Sequence, residues 1–143
     1  MERQEIPIEE GLWSFSPETG RVSLIGSRCC SCDELFFPER KLGICTHCQS
    51  RDLERVEFSD RGKICTFTIV YQRPGGGWYK GPVPYAYGVV ELPEGIRIMS
   101  LLTSKDLDSL DVGMDVSLVV EPLFRDEEGR NVLTYKFKPA HED

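Results

Sequence analysis

The chain has 143 residues, 40% of them hydrophobic, which is enough for one modest core and too many for a disordered chain. Its formal net charge is -7, and this disfavours a general affinity for the phosphate backbone of nucleic acids. The N-terminus lacks the apolar run of a signal peptide, and no stretch is long enough to cross a bilayer. We therefore expect a cytoplasmic protein without membrane contact.

The first segment, residues 1–20, is acidic and then aromatic at Trp13 and Phe15. We predict a short helical segment or turn across residues 9–15 that serves for docking. Its apolar side chains are expected to pack on the body of this chain. The alternative is an arm that reaches a partner subunit.

Two C-x-x-C pairs dominate residues 21–52, with twelve residues between the pairs. Cys29 and Cys32 form the first pair, and Cys45 and Cys48 form the second. Each pair places two sulfurs on one tight turn, and two such turns supply the four thiolates that Zn²⁺ prefers in a closed structural site. The alternative, a redox dithiol, requires a C-x-x-C at a helix N-terminus in a βαβ unit, and the sequence contains none.

The other cysteines and the histidine near this module are not expected to bind the metal. Cys30 is an extra thiol beside Cys29, and His47 lies inside a pair that already satisfies the geometry. Cys65 is predicted to be a small core residue of a strand. Because four thiolates leave no open position for water, the zinc is predicted to be structural and not catalytic.

Residues 53–139 have the alternating pattern of strands, and a single helical turn is predicted near residues 105–110. Five or six short strands with turn signals between them predict a small closed barrel of the OB type. The predicted fold class is therefore all-β, with a zinc ribbon followed by an OB-fold barrel. The strands are predicted at residues 63–71, 85–91, 96–102, 116–121 and 132–137.

A glycine-rich loop, residues 72–82, interrupts the strands. Three consecutive glycines leave it with little conformational restraint, and the aromatic side chains of Trp78 and Tyr79 are costly to expose. We predict that Arg73, Trp78, Tyr79 and Lys80 contact a partner or coenzyme A. The alternative is a solvent loop whose aromatic side chains fold back on the barrel.

Two sets of motifs occur in order along the chain. The first set is Gly26-Ser27-Arg28-Cys29, Cys32, Phe37-Pro38 and Cys45-x-x-Cys48. The second set is Thr66-Phe67-Thr68, Val83-Pro84-Tyr85, Val90-Glu91-Leu92, Glu94-Gly95, Val112-Gly113-Met114-x-Val116 and Tyr135-x-Phe137-x-Pro139. With these motifs the sequence resembles the DUF35 family, in which a rubredoxin-like zinc ribbon precedes an acyl-CoA-associated OB-fold, and the resemblance covers nearly the whole chain.

The resemblance implies a non-catalytic accessory subunit in a hetero-oligomer with a thiolase-fold catalytic subunit. The complex would take a coenzyme A thioester, and the OB half would dock near the coenzyme A entrance and shape or gate the acyl-CoA channel. Asp33 departs from the family, which often has glycine after the second cysteine, and is expected to strain or reshape the first turn.

The runner-up function is single-stranded nucleic-acid binding, which zinc ribbons and OB barrels also perform. It requires a basic stripe with interleaved aromatic side chains, and the charge of -7 speaks against it. A free-standing enzyme is a third possibility. It lacks support because no nucleophile has an obvious base beside it and no phosphate-binding loop occurs.

Overall fold

The computed structural model describes residues 5–40, 43–73, 75 and 79–141. Within these ranges the fold is all-β, and its one helical element is a 3-10 turn at Leu107–Ser109, far too short to cross a membrane. The strands are β1 (Glu5–Pro7), β2 (Trp13–Phe15), β3 (Val22–Cys29), β4 (Leu35–Phe36), β5 (Leu53–Glu57), β6 (Arg61–Val70), β7 (Tyr85–Glu91), β8 (Arg97–Leu102), β9 (Asp115–Arg125) and β10 (Asn131–Pro139).

Five strands close into a barrel in the order β6-β7-β8-β10-β9, with β9 pairing back to β6. Four of the five pairings are antiparallel, and β8 runs parallel to β10, where Lys136 pairs with Leu101. This closure leaves no open edge among the five strands. The predicted OB-fold barrel is therefore confirmed.

A second sheet carries the cysteine-bearing segment and centres on β3. Strand β5 pairs antiparallel with β3 from Ile25 to Cys29, while β2 and β4 pair with β3 along its other edge. The domain boundaries predicted from the sequence, 1–20, 21–52 and 53–139, stay a prediction. The pairing of β5 with β3 joins residues on the two sides of position 52.

One hydrophobic core serves both sheets. Leu24 of β3 is fully buried, and it belongs to the same cluster as Val90 and Phe137 of the barrel. Phe58, which follows β5, is in this cluster, and Phe37 packs against it from the ribbon side. The ribbon therefore does not rely on a separate small core of its own.

The predicted N-terminal helical segment is wrong. Residues 8–12 form bends and turns between two short strands, and Gly11 has a φ of +83°, which favours glycine. Strand β1 pairs parallel with β10, and β2 pairs antiparallel with β3. These pairings satisfy the backbone hydrogen-bonding groups of the segment. Long-range sheet contacts therefore determine its conformation, rather than the local helical preference. The segment does pack on the body of the chain, with Leu12 buried.

Strand β6 contains an irregularity that the alternation did not reveal. The register between β6 and β7 shifts between Ile64 and Thr66. Ile64 is consequently part of the core, and Cys65 is half-buried outside the core cluster, contrary to its predicted role. A bulge of this kind changes which side chains face inward along the rest of the strand.

Candidate metal centre

Two similar backbone turns present the four cysteines. Strand β3 ends at Cys29, and the amide of Asp33 donates to the Cys29 carbonyl at 2.8 Å. In the second turn the amide of Gln49 donates to the Cys45 carbonyl, also at 2.8 Å. Asp33 and Gln49 each follow the second cysteine of a pair, with φ of 65° and 64°. The two C-x-x-C segments therefore have the same local geometry.

The sulfur positions match those of a tetrahedral metal site. The Sγ atoms of Cys29 and Cys48 are 3.6 Å apart, and those of Cys32 and Cys45 are 3.7 Å apart. All four sulfurs lie within 4.8 Å of one another. Zn–S bonds of about 2.3 Å place the sulfurs of a tetrahedron about 3.8 Å apart, whereas a disulfide requires about 2.0 Å. The cluster thus has metal-binding spacing.

The protonation states within the cluster favour a cation at its centre. Burial raises the pKa of Cys29, but backbone amides of Cys32 and Ser31 outweigh this effect and lower the pKa to about 6. For Cys32 a backbone hydrogen bond at Glu34 lowers the pKa, yet burial and the neighbouring sulfurs raise it to about 12. Without a cation, the Cys29 thiolate forms easily whereas the Cys32 thiol retains its proton. A bound divalent metal would compensate four thiolates together.

Several residues lie beside the cluster but do not belong to the four-cysteine group. Arg28 forms ion pairs with Asp33 of the first turn and with Glu54 of β5. Asp33 has the left-handed conformation of this turn position, and Gln49 has the same conformation in the second turn without an ion pair of this kind among the described residues. Cys30 is exposed and lies outside the four-cysteine group. His47 is also exposed, with its Nδ1 3.7 Å from a Glu34 carboxylate oxygen.

The predicted loop residues differ in their placement. Arg73 and Lys80 are exposed, and the Lys80 ammonium lies 5.7 Å from the centre of the Phe124 ring. Tyr79 is buried, with 5% exposure, and its ring stacks on Tyr85 at a centroid distance of 3.9 Å. Trp78 lies outside the described residues. For Tyr79 the arrangement is the alternative in which an aromatic side chain folds back on the barrel.

Tyr79 anchors the end of the loop. Its hydroxyl donates to the carbonyl of Pro82 at 2.6 Å. Gly81 lies under the ring, since a Cβ atom there would come within 2.6 Å of both the Tyr79 hydroxyl and a Leu123 methyl group. Burial raises the pKa of Tyr79, with a smaller contribution from Tyr85. The loop thus returns to the barrel at a fixed point.

Sequence reasoning missed an exposed aromatic residue at the start of the loop. Tyr71 is the last residue of the strand predicted at residues 63–71, but 66% of it is exposed. Strand β6 ends at Val70, so Tyr71 is beyond the paired residues. The sequence signal that could have indicated this exposure is its position directly before the glycine-rich loop. Tyr71, Arg73 and Lys80 give this loop an aromatic and basic exposed surface.

Comparisons with known proteins agree with this architecture. The family model described as the C-terminal OB-fold domain of ChsH2 matches residues 55–121. A DUF35 domain-containing scaffold protein of Methanothermobacter thermautotrophicus is 35% identical over 89% of this chain and 92% of that protein. The benzoylsuccinyl-CoA thiolase subunit BbsA of Geobacter metallireducens is 32% identical over 83% of this chain and 76% of that protein.

A solved structure supports the same assignment. A chain of the Ltp2-ChsH2(DUF35) aldolase is 29% identical and superposes with a TM-score of 0.63, over 82% of this chain and 85% of that chain. The closed five-stranded barrel, the four-cysteine cluster and these extensive similarities agree with one another. The chain belongs to the DUF35 family.

Proposed function

We propose that this chain is a non-catalytic, zinc-binding accessory subunit that docks on a thiolase-fold catalytic subunit of an acyl-CoA complex. One observation carries the proposal: relatives similar over most of their length are named scaffold proteins or a thiolase subunit, and the structural relative comes from an aldolase complex. The reaction is then performed by the partner. Benzoylsuccinyl-CoA, named for one relative, is one candidate substrate of such a complex.

Zinc is the metal that the cluster fits best. Four thiolates at tetrahedral spacing are a closed donor set, which suits a structural site better than one that binds substrate. Cys29, Cys32, Cys45 and Cys48 would hold the ion, and the ion would supply the charge that keeps all four deprotonated. Since β3 and β5 pair beside the cluster, the bound ion would fix the ribbon against the barrel.

The exposed loop surface is the proposed contact with the partner or with coenzyme A. Arg73 and Lys80 provide two cations for phosphate groups or for carboxylates of the partner. The buried Tyr79 would act as the anchor that sets where Lys80 emerges, rather than as a contact itself. In this arrangement the loop shapes the acyl-CoA channel from outside the catalytic subunit.

Co-expression with a thiolase-fold subunit encoded beside this chain tests the proposal. We expect the two chains to form a stable complex. The catalytic subunit alone should turn over little of its acyl-CoA, and the complex should turn over much more. The purified chain should show none by itself. Thioester turnover by the isolated chain, or failure to associate with any neighbouring thiolase-fold subunit, would overturn the proposed function.

A further inference from the structure

A groove of about 520 Å³ separates the N-terminal turn from the ribbon. Residues 9–12 form one wall, and residues 36–40 form the other. Leu12 is buried beneath it, and the Phe37 ring packs edge-on against Tyr135 with a centroid distance of 5.5 Å. The groove therefore has an apolar floor, and its Phe37 side chain packs against the main core.

The polar groups of this groove are mainly acidic. Glu9, Glu10 and Glu39 line it, and none of the three has an ion-pair partner among the described residues. Arg40 is the one cation in the described lining. Its Nε donates to the Ile44 carbonyl at 2.9 Å, and its guanidinium lies 5.3 Å from the centre of the Phe36 ring.

Two further observations place negative charge and apolar surface together here. Burial raises the pKa of Tyr135 to about 12, and the charges of Tyr87 and Glu9 add to the effect, so the Glu9 carboxylate is within electrostatic range of the floor. Ile8, next to Glu9, and Ile44, which contacts Arg40, are both exposed apolar residues. The groove thus continues into apolar surface beside its walls.

We propose that this groove binds a segment of the catalytic partner in which lysine or arginine side chains alternate with apolar ones. The carboxylates of Glu9, Glu10 and Glu39, which have no ion-pair partner among the described residues, would receive the cations, and the aromatic floor would receive the apolar side chains. An acidic segment or a nucleic acid would be repelled, and a purely apolar segment would desolvate the carboxylates without compensation. This inference rests on the proposed function, because it names the chemistry of the docking segment.

Fluorescence anisotropy with two synthetic peptides tests the groove on the zinc-loaded full chain. One peptide alternates leucine with lysine, and the other alternates leucine with glutamate. The lysine peptide should bind and the glutamate peptide should not. Glu9→Gln/Glu39→Gln should weaken binding about fivefold, since each exposed charge pair contributes about 0.5 kcal/mol.

The matched control is Glu18→Gln/Asp108→Asn, which removes two exposed carboxylates that do not line the groove. It should leave peptide affinity unchanged. Equal binding of both peptides, or an equal loss in both double variants, would overturn the inference. A second copy of the chain in the groove would instead appear as self-association that only Glu9→Gln/Glu39→Gln abolishes, which would also overturn it.

The complex separates this inference from the proposed function. Glu9→Gln/Glu39→Gln should weaken association with the thiolase-fold subunit, and the control double variant should not. If the complex forms with unchanged affinity in both variants, the groove is not the docking site and the proposed function still stands. A marked rise in peptide affinity for Lys41→Ser/Leu42→Ser would show that the chain's own residues after Arg40 compete for the groove, and would overturn the assignment to a partner.

Discussion

Replacing Gly26 with alanine should destabilise the whole chain. Gly26 is on β3 between two neighbouring elements, and a Cβ atom there would come within 2.7 Å of the Phe58 ring atom Cζ, and closer still to the Phe36 carbonyl oxygen. That oxygen belongs to β4, which is paired with β3, so it cannot move without loss of strand pairing. We expect the upper part of the overpacking range, about 3 kcal/mol.

The expected change is large enough for a thermal scan. For a chain of 143 residues the unfolding entropy is about 0.3 kcal/mol per kelvin, so about 3 kcal/mol corresponds to a Tm lower by about 10 °C. Circular dichroism on the zinc-loaded chain measures it. Gly75→Ala is the matched control, because a Cβ atom at Gly75 meets nothing within 4 Å and its backbone favours no left-handed conformation.

The control should melt within about 1 °C of the wild-type chain. If Gly26→Ala also melts within about 2 °C, the close packing of β3 against β4 and Phe58 is not what limits stability. This result would contradict a core shared by the two sheets. A loss of metal in Gly26→Ala at an unchanged Tm would equally contradict it, because the ribbon would then respond independently of the barrel.

Four other outcomes can be measured. Cys45→Ser should abolish stoichiometric zinc in the purified chain while Cys30→Ser retains it, as read by plasma emission spectroscopy; equal zinc in both variants would contradict the four-cysteine assignment. Arg73→Gln/Lys80→Gln should raise the KM of the reconstituted complex for its acyl-CoA about fivefold without changing zinc content, and an unchanged KM would exclude this surface from substrate binding. Because the pKa of Cys29 is lowered, its thiolate stabilises the folded metal-free chain. This stabilisation is fully present above the ordinary thiol pKa and is lost as the pH falls through about 6. Urea titrations at several pH values can detect the loss. Removal of zinc by a chelator should lower the Tm of the single unfolding transition, and two separate transitions would argue against a common core.

The parts of this fold that depend on local sequence were predictable. The C-x-x-C spacing fixes two sulfurs on one turn, so the cluster of Cys29 with Cys48 and Cys32 with Cys45 follows once the turns meet. The barrel strands follow from alternation, and predicted residues 85–91 coincide with β7. The residues Pro93-Glu94-Gly95 are typical of a tight turn, and β7 and β8 pair antiparallel on its two sides, with Gly95 at a φ of +96°.

The parts that depend on long-range pairing were not predictable. Within residues 9–15 Gly11 is the one local signal against a helical turn, and the conformation is determined by the pairing of β2 with β3 and of the preceding β1 with β10. The bulge beside Cys65 has no glycine or proline signal of its own in the sequence. The inward position of Tyr79 depends on Tyr85 across the loop, so neither composition nor periodicity could reveal it.

Strand β3 has a consequence for metal supply. The same uninterrupted strand carries Leu24 at the centre of the core and Cys29 at the metal cluster. If the cluster holds zinc as proposed, a newly synthesised chain without the ion would leave one end of this strand without an anchor while the other end packs in the shared core. In a zinc-starved cell we therefore expect the entire subunit to become a substrate for proteolysis, and any enzyme assembled with it to decline in step.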